Sequence, residues 1–312
     1  MTSRDETFRN FTPEQAAIYA KARGYSYPPA LYQAVVDYHK TARRVVFDIG
    51  TGPGKVLFDF MQFFERGIGS DTSVQMIEQA KKDAQSRNLS DRTGFLVCSA
   101  EDCSSHLSPN EVGNVDLITV AMAVHWFQLP EFYAQAAKAL KPGGTLAIWT
   151  CSSFYCHPAE PKCKEIQDVL SDLEDKVLDP YMTPGNRLSR RRYIDMTLPW
   201  HVDATKTLFD ESAFQRKDWD VDGIPSGPSL PDGTPGPFAR MDETNIDDWE
   251  ASIGAAGPVV RWRKANPEKV GTEEDIIRII VKRLRTVMGE RKTFMAGSST
   301  SLLLLRRSAA QA

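Results

Sequence analysis

At 312 residues, with 41% hydrophobic and 25% charged side chains, the chain can bury a sizeable core, and its composition excludes wholesale disorder. A formal net charge of −3 excludes a nucleic-acid surface built on bulk positive charge. No apolar run approaches the about 20 residues that span a bilayer, and residues 1–10 are polar without a secretory core, so the reading is a cytoplasmic protein with no membrane or nucleic-acid partner.

From 43 to 150, short apolar strands alternate with helix-period stretches, the α/β pattern of a mostly parallel sheet with helices on both faces. Strands are predicted at 45–49, 68–70, 93–98, 115–120 and 145–149, with helices at 55–65, 74–87 and 131–140 between them. The turn Lys141-Pro142-Gly143-Gly144 ends the last of these helices, because proline cannot continue it and the glycines permit a sharp return into the fifth strand. Beyond Cys151 prolines interrupt the chain, and 223–237, rich in Gly, Pro, Ser and Asp, reads as a mobile loop or linker. Helices are expected there at 160–178 and 274–288, with a third at 245–253, and strands at 214–219 and 300–307 bring the sheet to seven. The division that follows is a cap at 1–42, a core at 43–150, a lid and substrate region at 151–290 and a terminal strand within 291–312 that completes the sheet.

Five cysteines, Cys98, Cys103, Cys151, Cys156 and Cys163, form an odd set without CxxC spacing, which fits reduced thiols. Neither they nor the histidines have metal-ligand spacing, so no metal is expected. The run Arg190-Arg191-Arg192 is either a solvated face or an anion clamp.

Gly50, Gly52 and Gly54 follow the first strand and precede a helix, so a ligand can approach the peptide without meeting side chains. Such a loop also suits a dinucleotide or a turn with no ligand. Here the spacing is GxGxG rather than GxGxxG, and Asp48 stands just ahead, where a carboxylate suits an ammonium better than a phosphate. The segment Asp48-Ile49-Gly50-Thr51-Gly52-Pro53-Gly54 resembles motif I of the class I S-adenosylmethionine-dependent methyltransferases, whose loop holds the aminoacyl end of the cofactor. That resemblance implies a Rossmann-like, mostly parallel seven-stranded sheet with an inserted helical lid, S-adenosyl-L-methionine as cofactor and S-adenosyl-L-homocysteine as product. At the end of the second strand, Asp71, followed by Thr72, can accept hydrogen bonds from both ribose hydroxyls; the alternative is that Asp71 caps the helix beginning near Ser73. After the third strand, Ser99-Ala100-Glu101-Asp102 stands where related methyltransferases read the adenine edge. Ser99 occupies a position that is often aspartate in the family, so this contact falls to its hydroxyl or to the Ala100 or Glu101 backbone. Ligands of open α/β sheets sit beyond the carboxyl ends of the strands, which places Gly50, Asp71, Ala100 and Ala121 on one crevice.

The stretch from Tyr19 to Pro28, the His125-Trp126-Phe127 segment, Leu198-Pro199-Trp200 and Trp249 are similar to the fungal trans-aconitate methyltransferase group, which makes methyl esters of small carboxylic acids. The resemblance implies that Tyr19 and Arg23 fold over the cofactor and, with Tyr25, Trp126 and Trp249, close the substrate pocket. Gly24 stands where the group usually has proline. Arg191 and Arg192, with Tyr193 beside them, are the lid residues expected at the acid. His125 would orient a substrate oxygen or take its proton; a buried histidine packed on Trp126 is the bland alternative. A carboxylate is already ionised at neutral pH, whereas a phenol, with a pKa of about 10, benefits from a base. The expected function is therefore an O-methyltransferase forming methyl esters of a small organic acid, di- and tricarboxylates included. An O-methyltransferase of an aromatic or isoprenoid molecule and a catalytically silent cofactor-binding regulator stay open, as does a homodimer.

Overall fold

The computed structural model describes residues 27–239, 241–246, 253–254 and 256–309. Five parallel strands form its centre: β1 (Val45–Ile49), β2 (Arg66–Asp71), β3 (Thr93–Val97), β4 (Val115–Ala121) and β5 (Leu140–Cys156). With β6 (Gln215–Trp219), β7 (Met241–Asn245) and β8 (Thr293–Arg306) the order is 3-2-1-4-5-8-6, and β7 pairs with β8 off this path. The expected seven-stranded path is present, and β7 adds a short eighth strand. The last strand runs antiparallel to β5 and β6, inserted between them.

Alternation along the central strands builds two cores, because successive side chains face opposite sides of a sheet. Phe47, Ile49, Ile118, Val120, Ile148 and Leu303 pack on one face, against α4 (Leu129–Ala139). Val46, Leu117, Ala147, Trp149, Leu302 and Leu304 pack on the other, against α1 (Pro29–Tyr38) and α2 (Lys55–Phe60). The helix α3 (Val74–Ser86) covers β2 and β3. Asp116 pins the start of β1, its buried carboxylate accepting from the Arg44 and Val45 amides and pairing with Lys141. The Lys141-Pro142-Gly143-Gly144 segment therefore does more than turn. It lies inside β5 as a register shift against β4, with Gly143 at φ 74, rather than ahead of the strand as expected.

Both β5 and β8 run well past the expected ends, and their overhang carries a third core. Ile166, Val169 and Leu170 of α5 (Cys163–Ser171) meet Ile277, Ile280 and Leu284 of α8 (Ile276–Met288) over Phe294 and Ala296. The residues 293–299 that extend β8 read Thr-Phe-Met-Ala-Gly-Ser-Ser, with no alternation to announce a strand. The helix expected over 160–178 begins at Cys163, widens into a π-helical turn at Asp172–Val177 and ends in a 3-10 turn. Two further helices described in this region are α6 (Pro184–Arg190) and α7 (Gly257–Ala265). Most of the helix expected at 245–253 lies outside the described residues, and its first residue closes β7 instead.

The segment 223–237 folds back on itself. Gly227 and Gly236 share an amide-to-carbonyl bond of 2.8 Å, and Ser229 bridges Pro235. Asp220, buried at the end of β6, accepts from the Tyr155 hydroxyl, the Ser226 amide and hydroxyl, and the Phe238 amide, fastening both ends of the segment to the sheet.

Candidate functional site

A cavity of about 1040 Å³ opens at the carboxyl ends of β1, β2 and β4 and continues under α6 and the overhang of β5. Its first half is a backbone surface. The chain leaves β1 through Gly50 (φ 71), Gly52 (φ 53) and Gly54 (φ 85), conformations that L side chains rarely adopt. At Gly50 a β-carbon would stand 2.6 Å from that of Ala123, whereas at Gly52 it would meet nothing within 4 Å, only the cavity. The Gly50 and Thr51 amides both donate to the Ser70 carbonyl, at 2.8 and 2.9 Å.

Two carboxylates frame this loop. Asp48 is buried and accepts from the Thr119 hydroxyl at 2.7 Å. Burial pushes its carboxyl up to about 7, against the pull of that hydrogen bond. Asp71 spreads its two oxygens between the Gly52 amide (3.0 Å) and the Ser73 amide (2.9 Å). Burial raises its carboxyl too, and the amides oppose that shift. The capping alternative thus contributes part of the answer: Asp71 does brace the helix start, although the N-cap side chain is that of Ser73. A carboxylate has about four acceptor positions, so two amides leave Asp71 room for further donors.

Thr72, Ala100, Glu101 and Ala121 join the wall where expected, while Ser99 does not and its neighbour Cys98 does. The Glu101 carboxylate accepts from the Gln128 amide at 2.9 Å and fixes the start of α4. These residues fit the aminoacyl, ribose and adenine portions of S-adenosylmethionine: a glycine loop open to the cavity, an acidic group with spare acceptor positions and an apolar slot beyond β3.

The second half is built from side chains that are distant in sequence. Met122 at φ 52 turns the chain out of β4; its amide donates to the Trp149 carbonyl at 3.0 Å, and the Cys151 amide points at its sulfur at 2.9 Å. The short turn Val124–Trp126 then presents His125 and Trp126 to the cavity. His125 Nδ1 lies 2.7 Å from the hydroxyl of Tyr193, and its ring lies against that of Trp126 with centroids 4.5 Å apart. Tyr193 is wholly buried, which drives its phenol well above the ordinary range. Gly185 lets α6 press on this turn, since a β-carbon there would sit 2.5 Å from the His125 carbonyl oxygen.

The basic run resolves unequally. Arg190 lines the cavity; its Nε donates to Ser153 Oγ at 3.1 Å and its Nη2 bonds Asp175 and lies 3.4 Å from Glu174. Arg191, expected at the substrate, points outward with its side chain 67% exposed and pairs with Asp195 at 2.9 Å. Arg192 faces Asp222 at 3.7 Å, away from the cavity wall, and Tyr193 backs His125 rather than facing the cavity. The end of α6 decides this: Arg190 is its last residue, Arg191 its C-cap, and Arg192 and Tyr193 turn the chain away at positive φ (56 and 58). Tyr19, Arg23, Tyr25 and Trp249 lie outside the described residues.

Residues absent from the sequence reading complete the wall: Ser153, Glu174, Met182 and Asn186, with Pro228 and Phe238 from the folded-back segment. Arg190, by contrast, was signalled as the first member of the basic run. The others are ordinary residue types that carry no motif.

A family model described as a methyltransferase domain matches residues 47–148, the stretch that holds the glycine loop, Asp71 and β4. Methyltransferase cfoB of Aspergillus candidus is 30% identical over 292 residues, covering 84% of either chain. CRG1, a methyltransferase of Saccharomyces cerevisiae, is 35% identical over 133 residues, and the chain spans 43% of its length. A methyltransferase structure from Anaeromyxobacter dehalogenans shares the fold, with a TM-score of 0.60 at 21% identity over 91% of this chain and 96% of that one. Fold, motif order and a similarity that covers 84% of the chain agree: the chain belongs to the class I S-adenosylmethionine-dependent methyltransferases.

Proposed function

We propose that the protein methylates a hydroxyl oxygen of a small, largely apolar molecule, an aromatic hydroxyl above all, with His125 beside the reacting oxygen. The observation that carries this reading is half-buried His125 at the mouth of β4, hydrogen-bonded from behind by buried Tyr193 and lining a cavity whose wall includes Trp126, Phe154, Met182 and Pro258. S-adenosylmethionine, when bound, supplies an electrophilic methyl group on a sulfonium. Gly50, Gly52, Asp48 and Asp71 would hold it, with Thr72, Ala100, Glu101 and Ala121 along its length. The imidazole of His125 would accept the hydroxyl proton as the new carbon–oxygen bond forms, and Tyr193 would fix the ring's orientation. Alignment of oxygen, carbon and sulfur contributes the rest.

An acid acceptor, the expectation from the sequence, has one observation in its favour: Arg190 stands in the wall and its Nη1 makes no hydrogen bond among the described residues. Against it, Asp175 and Glu174 already offset that guanidinium. The test is turnover of matched phenols and carboxylic acids by the wild type and by His125→Ala. For a hydroxyl acceptor the substitution lowers kcat/KM about 100-fold at neutral pH, and the deficit shrinks as pH approaches the pKa of the phenol itself. Esterification of acids that survives the substitution, with phenols inert, establishes the acid reading in its place.

A further inference from the structure

Two backbone irregularities meet at one side of the acceptor half of the cavity. On β5 the register against β8 slips between Cys151 and Phe154, and the slipped residues Ser152 and Ser153 both reach the cavity. Beside them, α5 loosens into the π-helical turn Asp172–Val177, which delivers Glu174 to the same wall. Such bulges re-aim side chains that regular structure would point elsewhere, and they concentrate beside functional sites. From a third direction, the last residue of α6 brings in Arg190, which bonds Ser153 and approaches Glu174.

The geometry points to Ser153, Glu174 and Arg190 as one subsite that recognises an uncharged hydroxyl next to a carbonyl on the methyl acceptor and disfavours a free carboxylate at that place. This rests on the small-molecule methyltransferase reading above and adds the second group that the acceptor presents.

The chemistry follows from the donors and acceptors. Arg190 Nε and Nη2 are engaged, which leaves Nη1 as a donor suited to a carbonyl oxygen. Glu174 is half-buried on this wall; burial raises its carboxyl, while the Ser153 hydrogen bond and the Arg190 guanidinium pull it back towards the ionised, acceptor form. An acceptor of this kind takes a hydrogen bond from a hydroxyl and repels a second carboxylate, the more so where solvent screening is weak. With Asp175 also on the guanidinium, the group of side chains presents no excess positive charge. A purpose-built acid clamp would leave its arginine unmatched.

The experiment measures binding of 2,4-dihydroxyacetophenone and 2,4-dihydroxybenzoate to the full chain saturated with S-adenosylhomocysteine, by calorimetry, for the wild type, Glu174→Gln and Glu174→Asp. The two probes share the ring and both hydroxyls and differ in methyl ketone against carboxylate. Wild type binds the ketone at least tenfold more tightly; Glu174→Gln narrows that ratio about tenfold, chiefly by improving the acid, and Glu174→Asp restores most of it. A ratio that Glu174→Gln leaves unchanged, a wild type that favours the acid, or a wild type that binds neither probe overturns the assignment. Because the readout is binding, absence of methyl transfer to any hydroxyl would sink the functional reading without deciding the subsite. Thermal melting of each variant with S-adenosylhomocysteine separates a folding defect from a change in selectivity.

Discussion

The two halves of the cavity solve recognition in different ways. The cofactor half is made mostly of main chain: three glycines at positive φ, amides tied to the Ser70 carbonyl and the Asp71 carboxylate, whose partners are the amides of Gly52 and Ser73. All of it lies at the ends of adjacent parallel strands, held by side chains packed on both faces of the sheet. The acceptor half is made of side chains from β5, α6, the π-turn and the folded-back segment, supported by the separate core over the overhang of β5 and β8. A backbone surface keeps its shape when side chains change, whereas a side-chain surface changes with each substitution. One fold can therefore hold a constant cofactor while the acceptor varies.

If that contrast is right, the cofactor half should be brittle and the acceptor half adjustable. The largest effect is expected from Asp71→Ala, which removes the acceptor of two amides as well as the group proposed to meet the ribose. S-adenosylmethionine affinity should fall about 100-fold or more by calorimetry, as lost charge-assisted bonds require. A fall of less than tenfold would break the comparison. Next comes Arg190→Ala, expected to raise the acceptor KM about tenfold with little change in cofactor affinity, which steady-state kinetics would resolve. Arg191→Ala, beside it, should stay within about twofold on every parameter, since an exposed ion pair contributes little. Equal losses from the two arginines would refute the division of the basic run.

Asp48 gives a smaller effect with a definite sign. Its folded-state carboxyl is raised to about 7, above the ordinary 3.8, so the neutral form is the one that folding favours. That contribution is complete below the ordinary value and is lost as pH rises towards 7, so the ligand-free protein should melt lower at pH 7.5 than at pH 5.5. An ammonium placed beside Asp48 favours the ionised form, so cofactor affinity should rise several-fold between pH 6 and pH 8. Asp48→Asn should flatten both trends; if either persists in that variant, another group is responsible.

How much was legible follows the same line. The strands β1 to β4 match their expected ranges closely, β5 contains its expected run but extends from Leu140 to Cys156, and β6 and the end of β8 lie where strands were expected. Gly50, Gly52, Asp71, Ala100 and Ala121 meet in one crevice as read, because parallel strands in register deliver their carboxyl ends to one edge. Ser99 does not line the crevice, whereas its neighbours Cys98, Ala100 and Glu101 do. The overhang of β5 and β8 escaped notice because its small polar residues carry no period-two signal.

By itself the sequence determined the fold class, the glycine loop and the acidic residues that frame it. These rest on local rules, the period of apolar residues and the conformational freedom of glycine, which operate over a few neighbouring residues. Only the tertiary structure decided that Arg190 rather than Arg191 lines the cavity, that His125 leans on Tyr193, and that Glu174 and Ser153 share a wall. Those outcomes depend on where α6 ends and the chain turns at positive φ, on a π-turn and on a strand bulge, each fixed by packing between segments far apart in the chain.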